Sequence, residues 1–130
     1  METPDSETKK RRVFIVDDNA MLREGLSEGI NNEPDLMICG EAPSAEVALE
    51  SLKTSHPDVV VVDISLEGKS GIELIKEIRA QYPSLPILVL TMHEPSVYAE
   101  KAFEAGAQGY VTKQESMQKV LETLRRVIAP

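Results

Sequence analysis

The stretch Val59-Val60-Val61-Val62-Asp63-Ile64-Ser65-Leu66 decides the fold. Four valines in succession leave no polar face. A strand with one side in water alternates apolar and polar residues, whereas a run that is apolar throughout suits a parallel strand covered on both faces. This run reads as a strand over 59–64, with an aspartate toward its carboxyl end. Four further apolar runs of strand length flank it, at 13–16, 36–40, 87–90 and 110–112.

The segments between these runs have helical spacing. Leu22, Leu26 and Ile30 recur every fourth residue. Ala45, Ala48, Leu49 and Leu52 form a stripe behind Ser44, a suitable N-cap. Ile72, Ile75 and Ile78 form another that ends before Pro83. Pro95 suits a first helical turn and Gly106 a C-terminal cap. Ser116 precedes the clearest stripe, Met117, Val120, Leu121, Leu124, Val127 and Ile128, with Arg125 and Arg126 near the negative end of the helix dipole. Strand then helix, five times over, predicts an α/β fold: a doubly wound, five-stranded parallel sheet with right-handed crossovers. The flavodoxin-like (βα)5 arrangement has strand order 2-1-3-4-5.

Length and charge narrow the function. The chain has 130 residues, enough for one domain that buries its core without disulfides or a structural metal. Residues 1–10 have little to bury and read as a disordered tail, leaving 11–130 as the domain. The basic run Lys9-Lys10-Arg11-Arg12 reads as a solvated flank of the first strand. A net charge of −8 argues against a general binder of nucleic acid or anionic membrane. The single cysteine, Cys39, excludes an intrachain disulfide and a cysteine-based zinc site, and reads as a small core residue. With neither an apolar span nor a secretory signal in view, a cytoplasmic setting is expected.

Ligands of open α/β sheets bind outside the carboxyl ends of the strands. The first strand ends in Asp17-Asp18, the third in Asp63, the fourth in Thr91 and the fifth in Lys113. The second ends near Glu41, with nothing distinctive. Order 2-1-3-4-5 sets strands one and three about 4.8 Å apart, so Asp17, Asp18 and Asp63 crowd together. Three carboxylates repel one another unless a cation neutralises them, and an all-oxygen ligand set favours Mg²⁺. A carboxylate beside Mg²⁺, a hydroxyl and a lysine can act as a nucleophile toward phosphorus.

These residues carry a resemblance. Val13-Phe14-Ile15-Val16-Asp17-Asp18-Asn19, Val62-Asp63-Ile64-Ser65-Leu66, Leu90-Thr91-Met92-His93-Glu94 and Gly109-Tyr110-Val111-Thr112-Lys113 resemble the receiver domain of two-component response regulators, the NarL/LuxR branch in particular. The resemblance implies that Asp63 accepts a phosphoryl group from a histidine kinase. It implies Mg²⁺ held by Asp17, Asp18, Asp63 and the backbone carbonyl of Ser65. Lys113 contacts the phosphoryl group, Thr91 turns toward it, and Tyr110 is the aromatic switch that follows. Ser65 and His93, each two residues past a motif residue, flank the line of water attack and tune dephosphorylation, although a loop histidine is more often solvent-facing. Tyr82 and Tyr98 read as packing residues, and His56 as a helix C-terminal residue.

Two positions depart from the family pattern. Glu67 stands where many members have proline, so a looser loop is expected across Glu67-Gly68-Lys69-Ser70-Gly71. Gln114 follows Lys113 where many members have proline, often with a cis bond; a cis bond to Gln would cost about 3–4 kcal/mol.

The branch resemblance makes this the expected input half of a regulator whose helix-turn-helix output lies beyond Pro130, so that DNA is bound only through that absent domain. A stand-alone receiver acting through protein contacts is the alternative. Phosphorylation would favour a homodimer, through the first helix or the face of the fourth and fifth. No enzyme activity is expected beyond the chain's own phosphorylation and dephosphorylation. Two other readings are weaker. A haloacid-dehalogenase-type phosphohydrolase normally has a second Asp two residues after its nucleophile, where this chain has Ser65. A phosphorylation-independent interaction module would not need the full set of phosphorylation residues.

Overall fold

The computed structural model describes residues 10–66 and 70–129. The tail expected at 1–10 lies, Lys10 aside, outside the described residues, as does the Glu67-Gly68-Lys69 part of the expected looser loop. Strands and helices alternate throughout: β1 (Arg11–Val16), α1 (Ala20–Asn31), β2 (Leu36–Ala42), α2 (Ala45–Ser55), β3 (Val59–Val62), α3 (Gly71–Gln81), β4 (Ile87–Thr91), α4 (Pro95–Ala105), β5 (Gly109–Thr112) and α5 (Met117–Ile128). All strand pairs are parallel and the order is β2-β1-β3-β4-β5, as the sequence predicts.

The four valines of β3 divide between two cores. Val60 and Val62 join Phe14, Val16, Ile87 and Val89 beneath α2, α3 and α4. Val59 and Val61 join Val13, Ile15, Leu88 and Leu90 beneath α1 and α5. Each fully buried valine contributes roughly 1.5–3 kcal/mol, and a one-residue slip would exchange the two faces. This two-sided burial fixes the register that carries the site.

The strand ends differ slightly from expectation. β1 begins at Arg11 and β2 runs on to Ala42, because their ladder extends from Arg11↔Leu36 to Val16↔Ala42. β3 stops at Val62, although the Asp63 N–H still reaches the Val16 carbonyl at 3.0 Å. Cys39 is half-buried rather than a core residue, since β2 is an edge strand. The Lys113–Gln114 bond is trans, there being no cis peptide among the described residues.

Local chemistry explains the helix starts. Asn19, Ser44, Ser70 and Ser116 each accept an amide N–H of the first turn, from Leu22, Val47, Glu73 and Lys119 respectively. α4 lacks such a cap: Glu94 makes no side-chain cap bond, and Pro95 stands in the first turn. Gly106 ends α4 at φ 127°, and His56 ends α2 in the left-handed region at φ 50°.

Candidate functional site

The register brings the predicted residues to one edge. Val16 pairs with Val62, so Asp17 and Asp63 leave adjacent strands side by side. Thr91 pairs with Thr112, and the Lys113 amide donates to the Thr91 carbonyl at 2.7 Å. From there the Lys113 ammonium lies 2.9 Å from Asp17 Oδ2 and 2.9 Å from Asp63 Oδ2. Asp17 and Asp63 are buried, at 2% and 3% exposure, while Asp18 is exposed.

Each buried carboxylate has one oxygen on the lysine and the other on a local amide. Asp17 Oδ1 accepts the Asn19 N–H at 2.8 Å, and Asp63 Oδ1 accepts the Ser65 N–H at 3.1 Å. Burial pushes the Asp17 carboxyl above its ordinary 3.8; the Asn19 amide and Lys113 pull it down less, and the Asp63 charge adds to the rise. Burial alone would lower Lys113, but its hydrogen bonds to Asp63 and Asp17 and their charges outweigh it, and the ammonium is held above 10.5. Lys113 thus pairs with two of the three carboxylates at this edge. Asp17, Asp18 and Asp63 each offer an oxygen within 4.8 Å of the others. That all-oxygen set, carrying more negative charge than Lys113 offsets, fits a hard divalent cation.

Thr91 and Tyr110 stand on the β4–β5 side of the edge. Thr91 is fully buried, and its Oγ1 accepts a long bond from the His93 N–H, 3.4 Å. The Tyr110 hydroxyl donates to the His93 carbonyl at 2.8 Å and is 3.5 Å from that of Glu94. Burial, then the Glu94 charge, raises the Tyr110 phenol above 10.

His93 is engaged rather than solvent-facing. Its Nε2 lies 2.7 Å from Ser65 Oγ, and its ring meets Tyr98 of α4 edge-on, with centroids 4.7 Å apart. Tyr98 therefore does more than fill the core: it backs the histidine at the mouth of the site. No spacing rule would have found this contact, which joins two loops across the sheet edge.

The sequence also undervalued the end of β2. Arg23 on α1 donates through Nη1 to the Asp17 carbonyl and through Nε to Glu41 Oε1 at 3.2 Å. Ser27 donates to the other Glu41 oxygen at 2.6 Å. Glu41 is the first residue past the Gly40 expected to end the strand, and the added β2 length is what brings it here. Beside Lys113, on the opposite flank, an apolar groove runs between α1 and α5, lined by Met21, Leu26, Leu90, Met117 and Val120.

Comparisons with known proteins agree with this geometry. The family model described as "Response regulator receiver domain" matches residues 13–125. The DNA-binding transcriptional activator DevR/DosR of Mycobacterium tuberculosis is 37% identical over 78% of this chain and 47% of its own length. The transcriptional activator protein ExaE of Pseudomonas putida is 36% identical over 90% of this chain and 55% of its own. The chain spans about half the length of these curated relatives. Among solved structures, a two-component response regulator of the LuxR family from Aurantimonas sp. SI85-9A1 superimposes with a TM-score of 0.88 at 38% identity, over 92% of this chain and 86% of that one. The response regulator domain of Thermotoga maritima CheB gives 0.86 at 26% identity, over 93% and 98%. Among the described residues no helix is long and apolar enough to cross a membrane. With the match covering most of the chain, and with the acidic pocket and lysine placed on the carboxyl edge of a 2-1-3-4-5 sheet, the chain belongs to the receiver domains of two-component response regulators.

Proposed function

We propose that Asp63 accepts a phosphoryl group from a phosphohistidine of a sensor histidine kinase. The observation that carries this reading is the Lys113 ammonium at 2.9 Å from both Asp17 and Asp63. It leaves a buried carboxylate with a cation beside it where phosphoryl oxygens would arrive. An Asp63 oxygen attacks phosphorus, an O–P bond forms, the P–N bond to the imidazole breaks, and the imidazole nitrogen recovers its lone pair. Lys113 then neutralises phosphoryl charge. Asp17, Asp18, Asp63 and the Ser65 carbonyl would hold Mg²⁺, which when bound supplies further positive charge to the phosphoryl oxygens. The chain's own phosphorylation and dephosphorylation are its only chemistry in this reading. The setting is cytoplasmic.

The output step follows from the β4–β5 side. Thr91 turns to donate to the acyl phosphate and gives up its bond from the His93 N–H. The 92–95 segment shifts, the Tyr110 hydroxyl loses its carbonyl partners, and the ring moves toward the vacated space. α4, which starts without a side-chain cap, moves with it. The two-state change favours a homodimer and, in a longer regulator, DNA binding through an output domain.

Incubation with a small acyl phosphate and Mg²⁺, followed by intact-mass measurement, is expected to show one added phosphoryl group per chain. No adduct at saturating donor would remove the reading.

Two further outcomes are expected. Ser65 and His93 orient the water that releases the phosphoryl group. Ser65→Ala and His93→Ala each slow dephosphorylation about fivefold, one hydrogen bond being worth about 1 kcal/mol. The double variant is no slower than either single one, because both remove the same bond. Decay rates that multiply in the double variant would show two independent roles.

The second outcome concerns pH. Because the Asp17 carboxyl is raised above 3.8, the metal-free native chain takes up the Asp17 proton at a higher pH than the unfolded chain does. That contribution favours folding on the acid side and fades as pH rises through the folded value. Mg²⁺ requires the ionised form. The rise in Tm on adding Mg²⁺ is therefore larger on the alkaline side of the folded Asp17 titration than on its acid side. A Tm increment that stays constant across that titration would exclude Asp17 as a ligand.

A further inference from the structure

We infer that Arg23 is a positioning residue for the Mg²⁺-binding turn, and that Glu41 and Ser27 hold it in place. This rests on the reading of the acidic pocket as a Mg²⁺ site and adds the groups behind it.

The turn from β1 into α1 puts Asp17 and Asp18 next to each other, and its backbone must be fixed for both carboxylates to face one ion. Two devices are local. Asp17 Oδ1 accepts the Asn19 amide, and Asn19 Oδ1 caps α1 on the Leu22 amide at 3.1 Å. The third is not local. The Arg23 amide continues the helix by donating to the Asn19 carbonyl at 3.0 Å, which sets its side chain one turn along α1. From there its guanidinium reaches back to the Asp17 carbonyl. That contact fixes the peptide plane between Asp17 and Asp18, and hence the direction in which Asp18 leaves the turn.

A guanidinium beside an acidic pocket is also a competitor for the carboxylates. Its Nε is instead occupied by Glu41 Oε1 at 3.2 Å, from the end of β2. Ser27 donates to Glu41 Oε2 at 2.6 Å and fixes the rotamer of the glutamate. The planar fork of Arg allows one face of donors to serve the carbonyl while Nε serves the carboxylate. The contact to the Asp17 carbonyl is partly buried, whereas the Glu41 end is open to water, with side chains 18% and 36% exposed. Lysine has no second donor in fixed geometry and cannot reproduce the pair of contacts.

The test is Mg²⁺ titration by calorimetry on the whole chain, with amide hydrogen exchange of Asn19 and Leu22 in metal-free protein. Arg23→Lys is expected to weaken Mg²⁺ binding about tenfold, the usual loss on removing a partner behind a metal ligand. It also raises exchange at both amides. Glu41→Gln, which keeps an acceptor for Nε, stays within about twofold of the parent. A guanidinium acting only through its charge would give another pattern: Arg23→Met would tighten Mg²⁺ binding and Arg23→Lys would leave it unchanged, either of which overturns the inference. Unchanged affinity with only a lower Tm overturns it too. Should the parent chain bind no Mg²⁺, the metal reading fails, while exchange at Asn19 and Leu22 still decides whether Arg23 holds the turn.

Discussion

Asp63→Asn is expected to abolish phosphoryl uptake, with a fall of at least about a thousandfold in the rate of labelling by an acyl phosphate in Mg²⁺. An amide in place of the carboxylate has almost the same shape but no nucleophilic anionic oxygen. The change is also mild for the fold. Asp63 is buried with Asp17 around a single ammonium, and removing one of the two charges leaves Lys113 and Asp17 as a matched pair at 2.9 Å. The Asn carbonyl can accept either the Ser65 N–H or the Lys113 ammonium but not both, a loss offset by relief of the repulsion between Asp63 and Asp17. Loss of labelling at an unchanged or raised Tm is thus the expected pair of results. It separates loss of the nucleophile from loss of structure. Labelling of Asp63→Asn at the parent rate would move the acceptor to another residue, with Asp17 and Asp18 next in line.

Much of this was readable before any coordinates. The four valines of β3 and the helical stripes marked a parallel sheet covered on both faces, because two-sided burial leaves a direct mark on residue type, while the strand order came from the known arrangements of such folds. Asp17, Asp18, Asp63, Thr91 and Lys113 were readable because strand ends are where an open sheet places ligands. The unreadable parts are side-chain contacts between elements distant in sequence. Arg23 and Glu41 are 18 positions apart, and each taken alone is an ordinary surface residue. The Ser65–His93 bond spans 28 positions and depends on how two loops approach. Arg125 grips Asp35 at 2.9 Å across 90 positions, lowering the Asp35 carboxyl chiefly through that hydrogen bond. Such pairs leave no periodicity, since either partner could bond elsewhere without changing the pattern. The edge position of β2, which leaves Cys39 half-buried, follows from strand order and not from the apolar run itself.

Gly71→Ala is expected to damage fold and site together. Gly71 opens α3, and its amide donates to the Ile64 carbonyl at 2.8 Å. A methyl group there would run into the carbonyl oxygen of Asp63, and would stand 2.5 Å from Ile64 Cα and 2.9 Å from the carbonyl carbon of Asp63. All three are backbone atoms, so no side chain can turn aside. If α3 backs away, the fully buried Leu74, Ile75 and Ile78 lose their packing on β3 and β4. If the Asp63–Ile64 backbone yields instead, the Asp63 carboxylate is carried off Lys113. Overpacking of this kind costs about 3 kcal/mol, or roughly 10 °C in Tm for a domain of this size. A displacement of about 1 Å at the nucleophile costs a further hundredfold in phosphoryl uptake. Gly25→Ala is the control, because it sits in α1 with nothing within 4 Å of the added carbon. In an exposed helix that change should raise stability by up to about 1 kcal/mol, through helix propensity. Thermal melts of the two variants should therefore move in opposite directions. If both shift Tm alike, the close approach of α3 to the Asp63 backbone does not constrain the site.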